Sequence, residues 1–462
     1  MGLIIQEIIK KISSSFEKEL ENLIKERRDI SEFILATKKT LDEIGVTLVA
    51  EALETIDQVY KNSKDRKRFW TVKEKAAEKT LTTIFGEVRY ERTYYQNKKT
   101  GEYSYLSDEV VGISVHDKLD ASLKAKLIEE AIYMPYSKSG EKASEAVTLT
   151  SQTVMNSIRE LGIVDNDAVE NKQDKKPVKV LYIEADEDHV ALQDGGSIEP
   201  KLVYVHEGRK KVGKNRWKLL NARYFSGVYA NSDELWVEVL DYIDKAYDMD
   251  TIEKTYLSGD GAPWIKNGLG WIKGSIYVLD RYHLSKYVTQ ATAHMGYTTP
   301  FMWEYINAGE KDSVKELFKA IISTTESETK RRAVQEARRY ILGNWKGIMR
   351  QYDADYVGCS AEGHVSHILS SRLSSRPLGW SKTGVDQMTR LRVFVANGGD
   401  VYELFMKRKK AAVNKAREVK VDQEIIRKRK LPASHETIGN ITLLNIGKST
   451  GASQFLKSIR YA

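Results

Sequence analysis

The chain has 462 residues, with 73 Lys and Arg against 65 Asp and Glu, a formal charge of +8 and one cysteine. That length exceeds the roughly 250–300 residues at which single cores stop growing, so two or three domains are expected, and the positive balance favours polyanionic partners. The lone Cys359 excludes an intrachain disulfide framework and a multi-cysteine zinc site, which fits a reducing cytoplasm; the opening residues carry interspersed charges, with no export signal and no membrane-length apolar run.

Residues 1–75 are expected to be helical, because Ile5, Ile8, Ile9, Ile12, Phe16, Leu20 and Leu23 recur at three- and four-residue spacing. Such a face needs cover, from the rest of the chain or from a second copy. Residues 76–170 form the next region. From Leu81 to Tyr105 the period becomes strand-like, with turn signals at Phe85-Gly86-Glu87 and at 97–101, which predicts a small antiparallel sheet. Arg89, Arg92 and Lys98 interleave there with Tyr90, Tyr94 and Tyr95, a mixture that either grips phosphates and stacks on bases or is a tyrosine-rich exposed sheet. Between Ala121 and Leu161 helical spacing returns. Ser139-Gly140 and the 148–151 turn before Gln152 resemble a helix-turn-helix whose second helix enters a major groove, with plain helical packing as the alternative.

The polar stretch 165–176 marks a boundary, after which a domain over 171–400 is expected. Strands are predicted at 178–185, 200–206, 222–229, 254–258 and 275–279, and helices at 232–247, 262–269 and from about Tyr282. This order fits a mixed α/β, ribonuclease H-like sheet, in which the first and fourth strands lie side by side because a strand–helix–strand crossover returns parallel. Residues 284–355 read as a charged helical insertion, where Arg331 and Arg332 either face DNA or are simply solvated. The region 401–462 is basic, with Lys407, Arg408, Lys409 and Lys410 followed by a second cluster at 427–430.

Three acids stand at the ends of elements. Asp186 follows the apolar run from Val178, Asp260 closes the strand from Thr255 between Gly259 and Gly261, and Glu362 opens a helical stretch. Open sheets bind ligands at the carboxyl ends of their strands, and the two glycines permit close approach of a phosphate backbone. The pattern suggests a site for two divalent ions, Mg2+ or Mn2+, of the kind that sit about 3.5–4 Å apart in phosphoryl transfer. Alternation along the strand turns Glu184 and Asp188 the same way as Asp186 and Glu187 the other way, making Asp188 the main rival. His364 and His367 could share a face with Glu362 or bind zinc, but no other spacing supports zinc, so a phosphate contact or a core hydrogen bond is the simpler role. Phosphate-loop, nucleophile-elbow and zinc-protease motifs are missing from the sequence.

Several segments together are specific: Phe85-Gly-Glu-Val88 with 103–109, Glu184-Ala-Asp-Glu-Asp-His-Val190, Gly259-Asp-Gly-Ala-Pro-Trp-Ile-Lys266, Leu279-Asp-Arg-Tyr-His283, Ser360-Ala-Glu-Gly-His-Val365 and the stretch 372–380. Through them the chain resembles bacterial insertion-sequence transposases of the DDE type, in particular the ISLre-type family. The resemblance implies that Asp186, Asp260 and Glu362 form a metal-binding catalytic triad, and that Asp280 and His283 match an Asp/Cys-x-x-His signature of related transposases. The expected activity is cleavage at transposon ends and strand transfer into target DNA by a homodimer or larger assembly, cytoplasmic and on the nucleoid when bound. Arg372 and Arg376 join the candidate DNA contacts. A nuclease that cuts without joining, or an inactive DNA-binding derivative, are the alternatives.

Overall fold

The computed structural model describes residues 2–25, 29–170, 174–214, 216–376 and 378–411. Residues Met1–Arg408 form one compact unit and Lys409–Ala462 a second. The basic cluster at 427–430 lies outside the described residues.

Helices α1 (Gly2–Lys25) and α2 (Ile30–Asn62) lead into a long hairpin of β1 (Trp70–Thr83) and β2 (Gly86–Asn97), with β3 (Tyr103–Ser104) completing a small antiparallel sheet. Asp29 caps α2 by accepting from the Ser31 amide at 2.8 Å. The hairpin begins at Trp70, well before the expected Leu81, because Lys73–Lys79 carries no strand alternation of its own and takes its conformation from pairing with β2. Leu53 of α2 closes a core with Leu81, Val88 and Tyr90. Ile9, Phe16 and Ile24 of α1 and Ile34 and Leu41 of α2 stay exposed.

Helices α3 (Ala121–Tyr133), α4 (Tyr136–Lys142) and α5 (Ser151–Leu161) follow. Leu123, Leu127, Ile128, Val154 and Ile158 share a single core with Leu202 and Tyr204 of the central sheet and with Met388 and Leu391 of the helix Lys382–Ala396. The expected boundary near 170 therefore separates stretches of sequence that bury their apolar faces together.

The central sheet contains β4 (Val180–Glu187), β5 (Lys201–His206), β6 (Arg223–Gly227), β7 (Lys254–Gly259) and β8 (Ile276–Leu279), in the order β6-β5-β4-β7-β8. The first three pair antiparallel and β4, β7 and β8 run parallel. The first and fourth strands are neighbours, as expected from the crossover through α6 (Ser232–Ala246). Leu181, Ile183 and Ala185 turn to the face covered by Trp236 and Val239 of α6 and Ile265 of α7 (Pro263–Trp271). Leu202 and Tyr204 turn to the other face, covered by α12 (Ala361–Val365), a π-helical turn at 366–370, and α13 (Lys382–Ala396). Between these lies the insertion: α8 (Arg281–Thr292), α9 (Thr298–Asn307), α10 (Lys311–Thr324) and α11 (Glu328–Gly343), with a core of its own that includes Leu279 of β8.

Candidate active site at the strand ends

Parallel pairing brings the acids into line. Lys254 pairs with Val180 and Ser258 with Glu184, a constant offset of 74 (254 less 180), which carries Asp260 opposite Asp186. Tyr256 pairs with Ile276 and Gly259 with Leu279, an offset of 20 (276 less 256), which carries Asp280 opposite Asp260. The Asp280 amide donates to the Gly259 carbonyl at 2.9 Å, so the ladder runs up to this row. Three aspartates thus end three adjacent parallel strands, where an open sheet presents its binding crevice.

The two glycines beside Asp260 are needed for packing and turn geometry. A Cβ on Gly259 would lie 2.7 Å from both the Ala185 carbonyl and Ile265, so only glycine lets β7 sit this close to β4. Gly261 has φ +92° and faces the Tyr277 hydroxyl and Asn344. The Asp260 carboxylate accepts from the Ala262 amide at 2.8 Å, and its carbonyl accepts from the Tyr340 hydroxyl of α11.

Glu362 stands exposed in the first turn of α12. Its helix is tethered by a residue whose role sequence alternation left unresolved. Glu184, 1% exposed, accepts from the Ser360 amide at 2.5 Å, from His206 Nε2 at 2.9 Å and from the Tyr204 hydroxyl. Burial alone would raise its pKa, but the His206 contact and these donors hold it below the ordinary glutamate value. Glu184 is therefore a buried clamp between β4 and the entry to α12. A glutamate inside the apolar run Val180–Ala185 was the available sequence signal, with His206 closing another apolar strand.

The electrostatics join these acids. Burial raises the Asp186 carboxyl to about 7; the Glu187 amide and His283 oppose the rise, while Glu362 and Asp260 add to it. At His283, burial lowers the pKa, but the hydrogen bond to Asp280 (Nδ1 to carboxylate, 2.9 Å) and the charges of Asp186 and Asp260 outweigh it and leave the imidazole raised. Asp186, Asp260, Glu362, Asp280 and His283 consequently share one field. Among the described residues no three His, Cys, Asp or Glu side chains are grouped closely enough to hold a metal ion as they stand.

The rivals have other partners. Asp188 accepts from the Ser374 hydroxyl at 2.8 and 2.9 Å and from the His189 amide at 2.9 Å. Glu187 turns to the opposite face, where Trp264 Nε1 donates to it. His364 makes a core hydrogen bond, 3.1 Å from the Tyr224 hydroxyl, with its ring 4.6 Å from that of Tyr204; burial lowers its pKa.

The candidate DNA contacts divide by burial. Arg92 is buried against Asp108 and stacks over Tyr105, and Arg372 is buried with its Nε donating to the Ala131 carbonyl at 2.8 Å and its guanidinium over Trp380. Neither faces solvent, which corrects the expectation for both: a long cationic side chain was drawn inward by an acid or carbonyl distant in sequence. Arg89, Lys98, Gln152, Arg332, Arg376 and Lys407 are exposed. Arg332 and Arg331 both pair with Glu328, Lys407 meets Glu170 at 3.3 Å, and Arg408 is turned to the carbonyls of Leu161 and Ile163. Lys409 and Lys410 begin the second compact unit.

A family model described as UPF0236, an uncharacterised protein family, matches residues 23–410. A UPF0236 protein of Caldanaerobacter subterraneus subsp. tengcongensis is 43% identical over 468 aligned residues, covering 99% of this chain and 98% of the relative; its name joins eleven locus designations. A second from the same strain, whose name joins four, is 42% identical with the same coverage.

Proposed function

The chain belongs to the uncharacterised protein family UPF0236, and we propose that it is a DDE transposase that cuts transposon ends and joins them to target DNA. One observation carries this reading: Asp186 and Asp260 end neighbouring parallel strands in register, in one field with Glu362, which is tethered beside them through Glu184. Asp186 is buried within that field, where like charges raise each other's energy, and such clusters are favoured at functional sites. The order of three antiparallel strands followed by two parallel ones supports a ribonuclease H-like fold. A relative whose name spans eleven loci of one strain is what a self-copying element leaves behind.

Asp186, Asp260 and Glu362 would hold two divalent ions, Mg2+ or Mn2+; hard carboxylate oxygens suit them, and the Asp186 carboxyl, raised by burial and further by Glu362 and Asp260, is one that a cation would favour in its charged form. Bound there, such ions supply activation of the attacking oxygen and neutralisation of the leaving one. The chain's own part is positioning. Gly259 and Gly261 set the close packing and the turn that place Asp260 in the row, the Glu184 clamp holds the entry to the helix of Glu362, and His283, held by Asp280, offers its ring to a phosphate. Exposed apolar positions along α1 and α2, such as Ile9, Phe16 and Ile24, support assembly of two or more copies, as joining two ends requires. The protein would work on the bacterial nucleoid.

A labelled element end incubated with Mg2+ tests the reading. Joined product that disappears in Asp260→Asn is the expected result. Cleavage without joining would reduce the activity to that of a nuclease, and binding alone would leave an inactive derivative.

A further inference from the structure

Between β5 and β6 the chain leaves the sheet as a two-stranded antiparallel ribbon, Arg209–Gly213 paired with Arg216–Leu219. It holds Arg209, Lys210, Lys211, Lys214, Arg216 and Lys218 and no acid. Every described residue from Arg209 to Lys218 is exposed, so neither face of the ribbon is covered by the body. An uncovered two-stranded ribbon is marginal in water, and this one is further weakened: Lys210 lies directly across from Lys218, a like-charge pairing that costs stability. Among the described residues none of the six cations meets a carboxylate. Glu207, at the root, is already engaged by Lys176, by Asn221 at 2.8 Å and by the Tyr247 hydroxyl at 2.9 Å. Trp217 is 53% exposed and lies under the Arg209 guanidinium, 5.0 Å from it.

We propose that this ribbon is a second duplex contact, gripping the phosphate backbone of the nucleic acid away from the acid row. The inference deepens the reading above and rests on it for the identity of the polyanion. A two-stranded ribbon fits the major groove of a duplex, and unpaired lysines and arginines are what a polyphosphate surface neutralises. The ribbon leaves the sheet at the end opposite the acids: Asp186 pairs with Leu202, whereas Tyr182 pairs with His206, just before the root. Four residues of strand at roughly 3.3 Å each separate these levels, so the root lies at least about 13 Å from the row. A duplex spanning both would be held beyond the bond being cut. Anionic lipid is a poorer match, since the ribbon's exposed apolar side chains are Val212 and Trp217, Leu219 being packed against the core.

The test is titration of the full chain with a labelled duplex of arbitrary sequence over a salt series. It compares wild type with a variant carrying Lys210→Gln, Lys211→Gln, Lys214→Gln, Arg216→Gln and Lys218→Gln, with circular dichroism confirming the fold. The slope of log affinity against log salt should become shallower by about 0.9 for each phosphate that the variant no longer neutralises. Trp217→Ala alone should weaken binding while keeping the slope. An unchanged slope and affinity in the five-site variant, with wild-type cleavage intact, would overturn the ribbon's role and leave the transposase reading standing. Failure of the wild type to bind any duplex would overturn both. Ribbon-dependent binding to phosphatidylserine-containing vesicles, with none to duplex, would assign the ribbon to membranes and likewise overturn the inference.

Discussion

The N-terminal hairpin and the strand-end row both bury acids, but they treat them in opposite ways. In the hairpin, Asp57 of α2 accepts from the Thr93 amide at 3.0 Å, the Thr93 hydroxyl at 2.6 Å and the Ser107 hydroxyl at 3.0 Å, and Asp108 meets Arg92 and the Tyr90 hydroxyl. At the row, Asp186 accepts, among the described residues, the Glu187 amide at 2.9 Å; burial and the charges of Glu362 and Asp260 raise it, and His283 opposes them. Asp57 and Asp108 are each held by several donors; Asp186 has a single backbone donor and lies in the field of two further acids, relieved in part by His283.

The contrast is probed most directly by removing charge on each side and measuring both activity and stability. Asp260→Asn should abolish strand cleavage and joining while leaving the thermal midpoint unchanged or higher, since it relieves repulsion. A mutant that cuts DNA at the wild-type rate would erase the distinction. In the hairpin, Asp108→Ala should cost on the order of 3–5 kcal/mol in denaturant unfolding, because it leaves Arg92 buried and unpaired; a loss near zero would place both acids in the same class. Mg2+ at a hundred times its dissociation constant should stabilise the wild type by about 2.7 kcal/mol. A triple variant with Asp186→Asn, Asp260→Asn and Glu362→Gln should show none of that gain in calorimetry. Gly259→Ala should cost about 1–3 kcal/mol through overpacking against Ala185 and Ile265, a loss that a chemical-denaturation midpoint would reveal.

The sequence made the central sheet readable because its strands are apolar runs separated by turn residues, and because a crossover fixes which strands are neighbours. Asp186 and Asp260 could be singled out from their positions at strand ends. The same logic could not tell Glu184, Asp186 and Asp188 apart, since alternation points all three one way; what separates them is the company each keeps across the fold, Ser360 and His206 for one and Ser374 for another. Burial of Arg92 and Arg372 was equally hidden, because it depends on Asp108 and on the Ala131 carbonyl, which no local pattern announces. The basic ribbon was present as a charge run, but its isolation from every acid among the described residues is a fact of three dimensions.

The insertion is bolted to the row at three junctions. Tyr340 donates to the Asp260 carbonyl, Lys266 reaches Asn344 at 2.8 Å, and Gln351 donates to the Leu279 carbonyl at 2.7 Å. Excising those helices to obtain a minimal fragment would strip the brace from two of the three aspartates. A fluorophore or affinity handle belongs instead at the exposed turn 308–310, between α9 and α10, where it can report on the insertion without loosening any of the three.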